Sequence, residues 1–197
     1  MNGWEATIGG SAVQITAAAI DPECDADLVS GWMNAEHVAP WWGLAGPVET
    51  TVDYLRAQVA LPHLEPWLMS ADGVPFAYAE TYVSAFDPLA RHYAARDGDR
   101  GFHLLIGPGD RIGTGHAQLL IRALIARLLA DPEAGRVLCE PDVRNTRMLR
   151  CCNRLGARDA GILQLPDKTA SLLIWTRSNA ARRFGSDRAS TSEEATA

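Results

Sequence analysis

The pattern of apolar and polar residues divides the first third of the chain into a strand hairpin and two helices. Two β-prone runs flank Gly9 and Gly10, which is typical of a hairpin turn. Asp21 then precedes a proline, a favourable helix entry, and apolar residues follow at helical spacing: Leu28, Val29, Trp32 and Met33. After a loop over 37–50 that carries two tryptophans, a second helix is predicted from an apolar stripe: Val52, Leu55 and Val59.

Alternation with a period of two begins after this helix and predicts a second strand pair. The hairpin signal Asp72-Gly73 separates two strand-like runs. One face of the second run carries Phe76, Tyr78, Glu80 and Tyr82. The stretch 100–124, RGFHLLIGPGDRIGTGHAQLLIRAL, then joins a strand to a glycine turn and to a helix predicted over about 114–130.

The last part of the chain completes a mixed α/β pattern. It predicts a strand over 135–142, a short helix capped by Asn145 and ended by Gly156, and a hairpin that turns at 166–168. From Ser178 to residue 197 the polar composition predicts a disordered tail. The order ββ-α-α-ββ-β-α-β-α-ββ shows no repeat or linker, so we expect one domain over residues 1–177.

Composition and charge narrow the class of protein. The chain has 197 residues, 47% of them hydrophobic, which suffices for one ample core. A net charge of −6 argues against nucleic acid or an anionic membrane as the main partner. There is no apolar run of about 18 residues, no signal-peptide pattern at the start, and no Cys-x-x-Cys pair among the four cysteines. We therefore expect a cytoplasmic protein with reduced thiols and no bound metal.

The turn at Gly113-Thr114-Gly115 has the physical properties of a phosphate site. Glycine lets backbone N–H groups turn inward, and the free amides and dipole of a helix start attract an anion. Two strict phosphate motifs do not fit, since no lysine follows as in a P-loop and Gln118 stands at the third glycine of the dinucleotide pattern. These residues alone leave an anion site and an ordinary helix-opening turn equally open.

With the following helix, this turn resembles that of the acyl-CoA N-acyltransferases of the GNAT type. Their loop pattern Q/R-x-x-G-x-G/A is matched at Gly113 and Gly115 but not at Asp110, and a second signature matches Asn145 and Gly156. The resemblance implies a GNAT fold, a mixed and mostly antiparallel sheet flanked by helices, and acetyl-CoA or another acyl-CoA as co-substrate. The implied CoA-binding residues, many through their backbone, are Leu104, Leu105, Ile106, Arg111, Gly113, Thr114, Gly115, His116, Ala117 and Asn145.

The stretch around His103 resembles a narrower family, the siderophore-biosynthesis N-acyltransferases of the aerobactin and mycobactin type, which acylate N6-hydroxylysine or related amines. Their recurring features are F-x-Y-x-E-x-Y, D-R-G-x-H-x-L-I-G, an E-P strand end and a P-D-K turn, found here at 76–82, 99–107, 140–141 and 166–168. A lone strand histidine is more often a core residue. Asp142, predicted at the end of the neighbouring strand, favours a catalytic pair, and the resemblance implies His103 as general base with Asp142.

We expect the acceptor to bind beside this pair. The predicted channel residues are Trp41, Trp42, Glu80, Tyr82 and Asp87. The expected reaction is direct attack of a hydroxylated amine on acyl-CoA in a monomer or homodimer, with the tyrosine acid of many such enzymes replaced by Cys152. Two other functions stay open: an aminoglycoside N-acetyltransferase, which has a similar WWG loop, and a non-catalytic CoA-binding sensor.

Overall fold

The computed structural model describes residues 3–185 and 187–191, which contain one nine-stranded sheet. In chain order its strands are β1 (Trp4–Thr7), β2 (Ile15–Ala19), β3 (Leu64–Ala71), β4 (Val74–Val83), β5 (Asp99–Ile106), β6 (Arg136–Cys139), β7 (Arg158–Gln164), β8 (Thr169–Thr176) and β9 (Arg188–Thr191). Across the sheet the order is β7-β8-β6-β5-β4-β3-β2-β1-β9. β5 and β6 are parallel and the other neighbouring pairs are antiparallel, so the predicted mixed, mostly antiparallel sheet is confirmed.

Four α-helices lie where local signals predict them, and the structure adds two that were not predicted. They are α1 (Pro22–Met33), α2 (Ala39–Trp42), α3 (Val48–Val59), α4 (His116–Ala130), α5 (Thr146–Arg154) and α6 (Arg177–Phe184). Asp21 caps α1 by accepting from two backbone amides, and Asn145 caps α5 by accepting from the Met148 amide. The predicted loop over 37–50 contains the single turn α2, which ends at Gly43 with φ +74°.

Alternate residues of β5 contribute to two separate cores. Phe102 packs in the larger core with the apolar side of α4, whereas Leu105 packs in a second core formed with α1 and α3. His103 shares the face of Leu105 because side chains two residues apart point the same way along a strand. The histidine therefore lies on the side of the sheet that carries α1 and α3.

The sheet opens between its two parallel strands. β5 and β6 pair only from Asp99–Gly101 to Arg136–Leu138, and no pairing continues beyond them. After β6 the chain turns towards β8, where Asp142 forms an isolated bridge with Ala170. This gap exposes backbone and side chains at the ends of both strands.

The structure departs from the prediction of a disordered tail over the described part of 178–191. In α6 the buried side chains are Ala180 and Phe184, too few to mark a helix in a polar sequence. β9 pairs antiparallel with β1, and Arg122 binds the Asp187 carboxylate at 2.7 Å. These contacts join distant parts of the chain, so local composition does not reveal them. Residues 192–197 lie outside the described residues.

Within the described ranges, no helix combines the length and the apolar character that crossing a membrane requires.

Candidate active site

His103 bridges two carboxylates at the gap in the sheet. Its Nδ1 lies 2.9 Å from Oε2 of Glu80, and its Nε2 lies 2.9 Å from Oε1 of Glu140. Glu80 is the direct cross-strand partner of His103 on β4, so both side chains lie on one face. Glu140 follows the end of β6, on the other side of the gap. The imidazole thus links the strands at a level where backbone pairing has stopped.

Tyrosine hydroxyls fix the Glu80 carboxylate. Tyr78, two residues earlier on β4, donates to Oε1 of Glu80 at 2.8 Å, and Tyr54 of α3 donates to the same oxygen. Burial, followed by the negative charge of Glu80, raises the pKa of both phenols above its usual value. Both hydroxyls therefore stay protonated and act as donors to a carboxylate that is only 2% exposed.

Glu140 is held by an equivalent set of partners. The Tyr82 hydroxyl donates to Oε2 at 3.1 Å, and the Lys168 ammonium lies 3.3 Å from Oε1. Burial acts to raise the pKa of Glu140, but the charges and hydrogen bonds of His103 and Lys168 outweigh it and lower this pKa to about 2. Burial likewise acts to lower the pKa of His103, and the two carboxylates overcome it and raise this pKa to about 10.

The D-R-G part of the motif, residues 99–101, packs next to the cluster of His103, Glu80 and Glu140. A Cβ on Gly101 would lie 2.1 Å from the Tyr82 ring, so only glycine leaves room for that ring. Arg136 binds the buried Asp99 carboxylate, with Nε 2.6 Å from Oδ1, and Arg100 pairs with an acidic side chain that follows α4. The glycine and both charged residues therefore have structural roles beside His103.

The predicted contact between His103 and Asp142 is wrong, because the structure pairs Asp142 with Arg144. The Arg144 guanidinium binds both carboxylate oxygens, Nε at 2.9 Å from Oδ1 and Nη2 at 2.6 Å from Oδ2. These hydrogen bonds lower the pKa of Asp142 to about 2. Glu140 takes the expected place because it directly follows β6, whereas Asp142 is already bridged to β8. The E-P strand end was the available sequence signal for Glu140.

A cavity of about 580 Å³ opens at the gap above His103. It brings together seven of the predicted site residues: Trp41, Trp42, Glu80, His103, Leu104, Asp142 and Asn145. Trp42 packs edge-on against Tyr78 with ring centroids 5.6 Å apart, and Trp41 is 43% exposed at the opening. The cavity is also lined by residues that sequence reasoning did not assign to it: Tyr54, Glu140, Arg144 and Lys168.

Several predicted residues lie outside the cavity lining. Tyr82 is buried beneath His103, with its ring 5.0 Å from the imidazole between centroids and its hydroxyl hydrogen-bonded to Glu140. Asp87 accepts a hydrogen bond from the Leu89 amide and caps a 3₁₀ turn. The Leu105 side chain packs in the α1–α3 core, and the Ile106 carbonyl accepts from the His37 ring. Tyr82 and Asp87 are thus placed as supports and not as walls of an acceptor channel.

The glycine turn has the features of an anion site. Gly113 and Gly115 have φ of +80° and +94°, which favours glycine, and Gly115 is the N-cap of α4. The backbone N–H groups of 113–115 have no acceptor among the described residues. The amides of the first turn of α4 add to them, as at any helix start. These open amides fit a diphosphate group.

Side chains of the same turn hold a basic group beside these amides. Arg111 donates to Nε2 of His116 at 2.7 Å, His116 Nδ1 lies 2.7 Å from the Thr114 hydroxyl, and that hydroxyl donates to the Arg111 carbonyl at 2.6 Å. Burial, then the positive charge of Arg111, lowers the pKa of His116, which favours the neutral ring that this network requires. The histidine thereby orients the guanidinium.

In the part of the chain that the structure describes, no three His, Cys, Asp or Glu side chains are grouped so that they could hold a metal ion.

Two curated relatives are enzymes that act on lysine or hydroxylysine by name. The lysine N-acyltransferase MbtK of Mycobacterium sp. (strain MCS) is 31% identical over 161 residues, 81% of this chain and 66% of that protein. The N(6)-hydroxylysine O-acetyltransferase of Escherichia coli is 31% identical over 158 residues, 80% of this chain and 50% of that protein. The chain thus spans between half and two thirds of the length of these relatives.

Two solved structures resemble the fold. An uncharacterized protein of Bacillus halodurans superposes with a TM-score of 0.89 at 27% identity, covering 93% of this chain and 95% of that one. The aminoglycoside acetyltransferase AAC(6')-Ib in complex with coenzyme A and kanamycin gives a TM-score of 0.77 at 26% identity, covering 85% and 98%.

The family described as Acetyltransferase (GNAT) domain matches residues 21–165, which is most of the chain. This match and the superposition on acetyltransferase structures confirm the GNAT fold predicted from the glycine turn and the Asn145 helix. The names of the relatives agree with the expectation of an acyltransferase. The chain therefore belongs to the GNAT acetyltransferase family.

Proposed function

We propose that this protein transfers an acyl group from acyl-CoA to the side-chain nitrogen of a hydroxylated amine, such as N-hydroxylysine or a related hydroxylated diamine, in hydroxamate siderophore biosynthesis. Family membership and the two relatives that act on lysine or hydroxylysine support the reaction and the substrate class. The relatives extend beyond the aligned segment, and the cavity of this chain carries the evidence for the acceptor.

The observation that carries the proposal is that the buried carboxylates of the cavity are already neutralised. Glu80 and Glu140 face the positive charges of His103 and Lys168, and Asp142 is paired with Arg144. A polycationic acceptor needs unpaired acidic groups for its several ammonium charges. A hydroxylamine nitrogen is less basic than an alkyl amine and is largely uncharged at pH 7, which suits a cavity with balanced charges.

The acyl-CoA co-substrate fits two features of the chain. Its diphosphate would bind the open amides of 113–117 and the guanidinium of Arg111. Its thioester would lie in the gap, where the backbone of 104–106 has no partner from β6, and those amides would polarise the carbonyl. Asn145, which lines the same cavity, would contact the pantetheine arm. In this arrangement His103 is the residue that exchanges protons with the reacting groups.

A second candidate is an aminoglycoside N-acetyltransferase. The similarity to AAC(6')-Ib, solved with coenzyme A and kanamycin, favours it. So does the open side of the cavity at Trp41, which leaves room for a large acceptor. The paired state of the three buried carboxylates disfavours it.

The test is release of CoA thiol from acetyl-CoA and longer acyl-CoA esters with N-hydroxylysine, N-hydroxyornithine, N-hydroxycadaverine and kanamycin as acceptors. We expect turnover with at least one hydroxylated amine and none with kanamycin. His103→Ala should lower kcat by about 100-fold or more while CoA still binds, with His92→Ala as the matched control. Turnover with kanamycin alone would establish the second candidate, and tight CoA binding without turnover would indicate a sensor.

A further inference from the structure

The hydrogen-bond geometry of His103 decides the charge of its ring. Both ring nitrogens lie 2.9 Å from carboxylate oxygens, and an ionised carboxylate only accepts hydrogen bonds. A neutral imidazole has a single N–H, so one of the two contacts would place a lone pair against a lone pair. An imidazolium has two N–H groups and satisfies both Glu80 and Glu140.

The surrounding groups donate hydrogen bonds to both carboxylates. On Glu80 the donors are the hydroxyls of Tyr54 from α3 and Tyr78 from β4. On Glu140 they are Tyr82 from β4 and Lys168 from the turn between β7 and β8. Each carboxylate thus has donors besides the imidazole, and none of these groups competes for the His103 protons. Asp142, the remaining buried carboxylate of the cavity, is bound to Arg144.

A histidine in this state has no lone pair with which to act as a base at the start of the reaction. It does have a proton to donate, and a third of its side chain is exposed. The usual tyrosine acid of enzymes of this type is replaced by Cys152, which is fully buried with its sulfur 3.9 Å from that of Cys139. Cys152 does not line the cavity, whereas His103 does and has protons to donate there.

We propose that His103 enters the reaction as an imidazolium and first acts as the acid that protonates the leaving thiolate, with Glu80 and Glu140 as positioning residues that keep it charged. This inference rests on the proposed acyl transfer. The acceptor nitrogen uses its lone pair to form the C–N bond, and the C–S bond breaks with its electron pair on sulfur. The Nε2 proton leaves its hydrogen bond to Glu140 and goes to sulfur, and the neutral ring then takes the proton from the acylated nitrogen.

The proton balance of this sequence closes without a further reactant. The CoA thiol carries the proton that His103 gave up, and the N–H proton of the acceptor replaces it, so His103 returns to the imidazolium. The two glutamates exchange no proton in the cycle. Their role is to make the charged ring the resting state, which distinguishes this scheme from one in which a neutral histidine begins as a base.

The direct test is NMR of the histidine rings in the full-length protein labelled with ¹⁵N-histidine, with the His103 signals identified by their loss in His103→Gln. We expect His103 to stay protonated through pH 8. In Glu140→Gln the ring loses one carboxylate, so its titration midpoint should fall by at least about one pH unit. If Glu140→Gln does not fold, Glu80→Gln removes the carboxylate at Nδ1 instead, and the titration midpoint of His103 should fall in the same way. A wild-type midpoint near 6.5 would overturn the proposal.

The kinetic test uses the change of kcat with pH, which has opposite directions for an acid and for a base. With a hydroxylated amine that is already neutral at pH 7, kcat of Glu140→Gln should fall as pH rises from 7 to 9, because the ring loses its proton earlier. A base would make kcat rise or stay level over this interval. Turnover by an enzyme whose His103 is neutral would overturn the acid role alone. Failure of every acceptor would overturn the proposed function as well, while the ring titration would still report the charge of His103.

Discussion

Gly101 has no room for a side chain. Its missing side chain is the space into which the Tyr82 ring fits, and Tyr82 in turn donates to Glu140. The ring lies 5.0 Å from that of His103, centroid to centroid. The absence of a side chain at Gly101 therefore fixes the position of Tyr82, and through it those of Glu140 and His103.

We predict that Gly101→Ala displaces the Tyr82 ring and weakens its hydrogen bond to Glu140. Overpacking of this kind lowers the free energy of unfolding by about 1–3 kcal/mol, measurable by urea denaturation, and kcat should fall as well. Gly109→Ala is the matched control, since a Cβ there meets no atom closer than 4.0 Å. Equal stability of the two variants would contradict the packing argument.

The turn between β5 and α4 acts as one unit, because its side chains hold each other as well as the backbone. His116 is the acceptor that orients Arg111, and Thr114 closes the ring of hydrogen bonds on the Arg111 carbonyl. The open amides and the guanidinium are thereby presented on the same element. Because the turn is already ordered by these hydrogen bonds, an anion that binds there has a smaller entropic cost to overcome.

We predict that Arg111→Ala raises the Kd for CoA by roughly fivefold to tenfold, the effect of losing one charge contact of about 1 kcal/mol. Isothermal titration should show that the difference in Kd between the variant and the wild type is smaller at high salt than at low salt, because salt screens the contact. Arg56→Ala, which removes an exposed ion pair between α3 and Glu23 of α1, is the control and should leave CoA affinity unchanged. An Arg111 variant with wild-type affinity would remove this residue from the site.

At the scale of the whole molecule, the chain after β8 completes the fold at the edge opposite the cavity. α6 places Phe184 in the main core, and β9 adds a strand beside β1. The Asp187 carboxylate joins Arg122 of α4 to the Gly9 amide. This end of the chain therefore links α4, which also carries the glycine turn at its start, to the outer edge of the sheet.

We predict that deletion of residues 178–197 destabilises the protein by at least about 3 kcal/mol, the effect of losing one buried phenylalanine alone. Thermal unfolding followed by circular dichroism would measure it. Arg182→Ala, on the exposed side of α6, is the control and should unfold at the wild-type temperature. A deletion variant with an unchanged Tm would mean that α6 and β9 add nothing to the stability of the core.

The sequence predicted the features that depend on neighbours a few residues apart. Helical spacing and caps located α1, α3, α4 and α5, and the glycine turn with the Asn145 helix indicated the family. His103 was also found from its motif, which includes Gly101. The reason for that glycine, the space taken by the Tyr82 ring, was visible only in the folded structure.

Which groups meet was visible only in the folded chain. Glu140 contacts His103 and Asp142 does not, because the point at which β6 ends fixes which carboxylate reaches across the gap. The charge of the ring follows from that choice together with Glu80. The pairing of β9 with β1 likewise joins the two ends of the chain. These contacts depend on where strands begin and stop pairing, a property of the assembled sheet that no local pattern of residues contains.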